Sequence, residues 1–174
     1  RILYVSPLKA LNADVHRNLR IPLEGILAEA KASGTPLRAL STAVRSGDTP
    51  ASERAKILRR PPEILIITPE SLHLMLTSQA RETLREVTHV VVDEIHALCG
   101  DKRGVFLALL LERLEALGSG RPFVRIGLSA TQKPLEEVAR YLGGARPVEI
   151  VDASGRKPMD LRVIWAAGDA GLGP

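Results

Sequence analysis

Aromatic side chains are scarce in this chain: one Trp, two Tyr and two Phe among 174 residues. Its core must therefore be aliphatic, and there is little on which nucleic-acid bases could stack. Cys99 is the single cysteine. That excludes a disulfide framework and a multi-cysteine metal site, and it points to a reducing, cytoplasmic compartment. No apolar run is long enough to cross a membrane. No signal-peptide pattern is present, and Arg1-Ile2-Leu3-Tyr4-Val5 opens directly on a strand-like run without an initiator Met, as expected of a fragment or trimmed chain. A phosphate loop of the form G-x-x-x-x-G-K-[ST] is also missing. His16, His73 and His89 have no acidic or cysteine partners at ligand spacing, so they read as structural.

What is present is ordinary for a globular domain: 45% hydrophobic and 25% charged residues. A chain of this size buries roughly 70% of its unfolded surface. The net charge of +4 and pI near 9.6 favour a polyanionic partner without deciding it. Short apolar runs recur at Ile2–Val5, Leu37–Ala43, Ile64–Ile67, Val90–Val92, Phe123–Gly127 and Val148–Val151. Several are continuous rather than alternating, as in strands buried on both faces of a parallel sheet. Helical periods lie between them. One runs from Leu8 to Ala30 and is expected to kink or restart at Pro22. Thr49-Pro50 reads as a helix start, as does Thr68-Pro69. Gly104 to Leu117 and Pro134 to Leu142 complete the set. Alternation of this kind predicts a three-layer, doubly wound α/β domain over residues 1–151 with a mostly parallel sheet. Residues 152–174 are expected to form a linker, with Asp160 to Trp165 as one more strand.

In open α/β sheets the chemistry lies beyond the carboxyl ends of the strands. Asp93-Glu94-Ile95-His96 follows Val90–Val92. Two acids ending a buried apolar strand are expensive unless used. The first can hold Mg²⁺ directly or through water, and the second can orient and deprotonate an attacking water. An acidic cap for the next helix is the equally open alternative. Leu128-Ser129-Ala130-Thr131 follows Phe123–Gly127 and suits either a phosphate sensor or a turn. Thr68-Pro69-Glu70-Ser71 follows Ile64–Ile67 and suits either a helix cap or a phosphate contact. Ser6-Pro7-Leu8-Lys9 follows Ile2–Val5, placing a cation at the positive end of a helix. Lys102-Arg103 reads equally as an exposed basic turn or as steering for a polyanion. Cys99 reads as a packing residue.

The order of these motifs at successive strand ends resembles motifs Ia, Ib, II and III of superfamily 2 helicases, with Asp-Glu-Ile-His as a DEAD/DEAH-type box. Leu8–Leu23, Arg45–Arg54, Asp93–Arg103 and Gly127–Gly143 resemble the large helicase-related (Lhr) family, and the likeness runs over about residues 1–163. It implies a RecA-like first motor domain of an ATP-dependent DNA (or RNA/DNA) helicase and translocase, with ATP and Mg²⁺ as cofactors and a role in DNA repair. A single strand of nucleic acid, a second RecA-like domain and C-terminal modules are the implied partners, in a cytoplasmic, nucleoid-associated setting. Asp93 and Glu94 match the hydrolysis pair, His96 the link to motif III, and Ser129 and Thr131 the coupling elements. Pro7, Lys9, Thr68, Pro69, Glu70 and Ser71 match the backbone-tracking surface, which Arg45 and Gly47 are expected to join.

The resemblance places a phosphate loop before residue 1, and an arginine finger in the second domain. The chain alone is therefore expected to be no competent ATPase, and to carry an unpaired apolar sheet edge where the phosphate-loop strand belongs. An inactive nucleic-acid-binding module and a different Mg²⁺-dependent phosphohydrolase are the competing readings.

Overall fold

A computed structural model describes residues 1–35, 37–118, 122–130 and 134–152, without the side chains of residues 9–11 and 13. The expected linker, apart from Asp152, and the strand expected at Asp160 to Trp165 lie outside these residues. Five parallel strands form one sheet: β1 (Ile2–Val5), β2 (Thr42–Arg45), β3 (Ile64–Ile67), β4 (His89–Val92) and β5 (Val124–Gly127). Their order is β2-β3-β1-β4-β5. The expected α/β architecture is thus present.

The register explains the layering. Leu3 pairs with Leu65 and Val90, and Val5 with Ile67 and Val92. This pleat face packs against α2 (Ala51–Arg59), α3 (Pro69–Leu76) and α4 (Lys102–Leu117) through Ile57, Leu72, Met75, Leu107, Leu110, Leu111 and Leu114. The other face is met by α1 (Lys9–Ala32), where His16 Nε2 lies 2.9 Å from Thr42 Oγ1. Helices on both faces make three layers. All four residues of β3 are buried, which is why that strand reads as an unbroken apolar run.

Several local expectations are corrected. The α1 helix runs through Pro22 without restarting, with Leu19, Leu23 and Leu27 half-buried on either side of the proline. The strand expected at Leu37–Ala43 forms instead at Thr42–Arg45, where β3 offers a ladder. Thr49 does not cap α2. Its hydroxyl accepts the Ser46 amide at 2.8 Å, and Pro50 occupies the cap position. Val148–Val151 forms no strand, for it has no ladder partner among the described residues. It lines a groove whose opposite wall is the free edge of β5. β5 is the end strand of the sheet among the described residues, and Val124, Ile126 and Leu128, alternate residues on the face away from α4, are exposed.

A final helix, α5 (Leu135–Gly143), buries Val138 and Leu142. Arg125 of β5, its side chain 8% exposed, donates to Glu112 and Glu115 of α4 at 2.9 and 2.7 Å. Arg146 joins the same two acids. This network, unread in the sequence, fixes β5 and the turn after α5 against α4. His73 stacks obliquely on Phe106 and His89 bonds Thr88, so these two, like His16 on Thr42, make local packing or hydrogen-bond contacts.

Candidate functional site at the carboxyl edge of the sheet

The strand ladders continue past the strand ends and line up four loops. Ser6 N donates to Ile67 O at 3.0 Å, Asp93 N to Val5 O at 2.9 Å, Leu128 N to Val92 O at 2.9 Å, and Ile95 N to Leu128 O at 3.0 Å. The Ser6, Thr68, Asp93 and Leu128 segments therefore stand side by side on one edge.

Glu94 precedes a short 3-10 turn, Ile95–Ala97, but its side chain makes no capping hydrogen bond there. The next α-helix, α4, is capped by Asp101, whose carboxylate accepts the Arg103 and Gly104 amides. Asp93 Oδ1 instead accepts the Glu94 amide at 2.9 Å, and Oδ2 accepts the Tyr4 hydroxyl at 2.8 Å. Burial, together with the Asp93 hydrogen bond and the charges of Asp93 and Glu94, pushes the Tyr4 phenol up, so it stays a donor. Sequence reasoning passed over Tyr4, which looked like any other strand residue.

Glu94 has φ 46° and ψ 41°, the one left-handed non-glycine residue among those described. Such a conformation costs about 1–2 kcal/mol in an L-residue. It turns the chain sharply, and Ile95 and Leu98 become fully buried anchors. Glu94 Oε2 then lies 3.4 Å from His96 Nε2, and His96 Nδ1 lies 3.3 Å from Ser129 Oγ. The two ring nitrogens thus bridge a carboxylate on one loop and a hydroxyl on another. Thr131 lies outside the described residues.

The second group is arranged differently. Thr68 caps α3 by accepting the Ser71 amide at 3.3 Å, with Pro69 in the first turn. Thr68, Pro69, Ser71 and Pro7 are buried, so their side chains shape the edge rather than line its surface. Thr68→Ala is expected to destabilise the domain by about 1 kcal/mol, the worth of a helix cap, read as a lower denaturation midpoint. A midpoint unchanged from wild type would exclude the cap. Glu70 is exposed. Burial pushes its carboxyl up, but its own amide, Arg103 and the Thr68 hydroxyl hold it below the usual range. Lys9 begins α1 at the same edge. Arg45 ends β2 and Gly47 follows it at the outer end of the same carboxyl edge, where Arg45 pairs with Ile67 just before Thr68. Arg45 is buried, and burial and the Arg54 charge hold its pKa down. Gly47 is exposed, and its carbonyl accepts from Arg54 at 2.8 Å.

Cys99 is half-buried, packs on the core, and has its thiol pushed up by burial, which makes it a packing residue. Among the described residues no helix is long and apolar enough to cross a membrane. None of them form a cluster of three His, Cys, Asp or Glu able to hold a metal alone.

Comparison with known proteins points to one family. The DEAD/DEAH box helicase family model matches residues 1–138. The Lhr helicase/uracil glycosylase of Escherichia coli is 54% identical over 94% of the chain, and ATP-dependent helicase Lhr-Core of Methanocaldococcus jannaschii is 49% identical over 97%. The structure of Mycobacterium smegmatis helicase Lhr bound to ssDNA and AMP-PNP superposes with a TM-score of 0.84 at 57% identity, covering 87% of this chain and 19% of that one. The chain spans only 11% and 20% of the lengths of the two sequence relatives.

Proposed function

We propose, on the premise that the chain belongs to the DEAD/DEAH box helicase family, that it is part of the first RecA-like motor domain of a longer ATP-dependent DNA helicase of the Lhr type. The single observation that carries this reading is the unbroken series Tyr4–Asp93–Glu94–His96–Ser129 on the edge where four loops meet.

Mg²⁺ is commonly bound through one or two carboxylates together with phosphate oxygens. A lone, doubly oriented Asp93 fits such an ion and does not fit a protein-only metal cage. When bound, ATP and Mg²⁺ supply the phosphoryl group and the charge that neutralises its oxygens. Asp93 would hold the ion. Glu94 orients a water and accepts its proton at Oε2. His96 senses that carboxylate through Nε2 and passes its position to Ser129 through Nδ1, with Thr131 in the same coupling segment. Pro7, Lys9, Thr68, Pro69, Glu70 and Ser71 set the edge along which a single DNA strand lies. Gly47 extends it, and the buried Arg45 supports the loop. Contacts there go to phosphate and sugar, so they supply affinity without choice of sequence. A second motor domain and C-terminal modules complete the machine, and DNA repair is its proposed setting.

The test is ATP hydrolysis by the full-length protein with and without single-stranded DNA. Stimulation by DNA is expected. Equal rates in both conditions would favour a nucleic-acid-independent phosphohydrolase instead. Ser129→Ala should lower unwinding per ATP about fivefold, the worth of one neutral hydrogen bond. An unchanged ratio of strands unwound to ATP consumed would remove Ser129 from the coupling route.

A further inference from the structure

Arg103 makes contacts that an exposed basic turn does not need. Its Nε and Nη2 donate to Glu70 Oε1 at 3.0 and 2.8 Å, and Nη2 also donates to the Pro7 carbonyl at 3.0 Å. One guanidinium thus ties the start of α4 to the loop after β1 and to the first turn of α3. It stands at the positive end of α4, where a cation is disfavoured, so these partners offset an unfavourable position. It also neutralises Glu70, a carboxylate that would otherwise face a polyanion.

The other end of the same segment is the Asp93–Glu94 turn. From Glu94 to Arg103 the chain is short and tightly seated. Ile95 and Leu98 are fully buried, and a Cβ on Gly104 would lie 1.8 Å from the Leu98 carbonyl oxygen. The hydrolysis turn and the first turn of α4 are therefore in direct backbone contact, and Arg103 joins that contact to the Pro7 and Glu70 segments of the edge.

We propose that Arg103 is a positioning residue that couples the hydrolysis turn to the nucleic-acid edge. This rests on the helicase reading above. It assigns Arg103 no direct contact with DNA or nucleotide.

The test uses the full-length protein with Arg103→Ala and Arg103→Lys, a single-stranded oligonucleotide, and two readouts. The first is the DNA concentration giving half-maximal ATPase stimulation. The second is the slope of log affinity against log salt. Arg103→Ala should raise the half-stimulating concentration about tenfold, within the usual range of coupling energies. Its salt slope should match wild type, because no phosphate contact is lost. Arg103→Lys should also be impaired, since an ammonium keeps the charge but loses the planar fork. A slope reduced by about one, with Arg103→Lys behaving as wild type, would make Arg103 a phosphate ligand and overturn the proposal. Unchanged stimulation in both variants would overturn it as well. If wild-type protein shows no stimulation by DNA, the helicase reading fails first, and the failure is visible before any variant is compared.

Discussion

Glu94→Gln in the full-length protein should lower DNA-stimulated ATP hydrolysis by about 10²–10⁴, the usual contribution of a positioned general base. Binding of single-stranded DNA should persist. The substitution preserves shape while removing the charge and the ability to accept a proton, and the amide oxygen can still meet His96 Nε2. It does not disturb a helix cap, because Asp101 caps α4 and the Glu94 side chain caps nothing. The left-handed backbone at Glu94 is unaffected by an amide in place of a carboxylate. Lost turnover therefore reports on chemistry rather than folding. Steady-state ATPase at saturating DNA, with binding measured by fluorescence anisotropy, separates the two. A variant retaining more than about a tenth of wild-type turnover would remove Glu94 from the role of base.

Gly104→Ala should destabilise the protein by about 3 kcal/mol, at the upper end for overpacking. A methyl at this site would meet the Leu98 carbonyl oxygen at 1.8 Å and its carbon at 2.8 Å. Both are backbone atoms, and no rotamer change relieves them. Either the segment carrying Asp93–His96 or the start of α4 must shift. The melting temperature of the domain should fall by about 10 °C, read by scanning calorimetry on the full-length protein. Gly25→Ala in α1 is the control, since nothing lies within 4 Å of an added Cβ there. That change should stabilise by about 0.5–1 kcal/mol through helix propensity. Equal melting temperatures for the two variants would show that the close approach at Gly104 is not real.

Different parts of the molecule were legible in the sequence to different degrees, for physical reasons. Ile64–Ile67 was readable because a central strand buries both faces, which demands an unbroken apolar run. The β2 strand was placed too early, because Thr42-Ala43-Val44-Arg45 mixes polar and apolar residues as edge strands do, while the apolar residues just upstream bury little. Val148–Val151 has the composition of a strand, but composition carries no information about whether a partner ladder exists. Arg103 was bland in sequence because its partners, Pro7 and Glu70, are 96 and 33 residues away.

Residue type and order were enough to establish an aliphatic parallel α/β domain, and to place Asp93-Glu94, Ser129, Thr68 and Ser6-Pro7 at strand ends. Strand burial and helix capping are local demands, written in consecutive residues. Folding was needed to join Glu94 through His96 to Ser129, to set Tyr4 on Asp93, to bury Pro7, Thr68 and Ser71, and to hang Arg103 between two loops. Those relations depend on strand order and register, which long-range packing selects and which no short window of sequence contains.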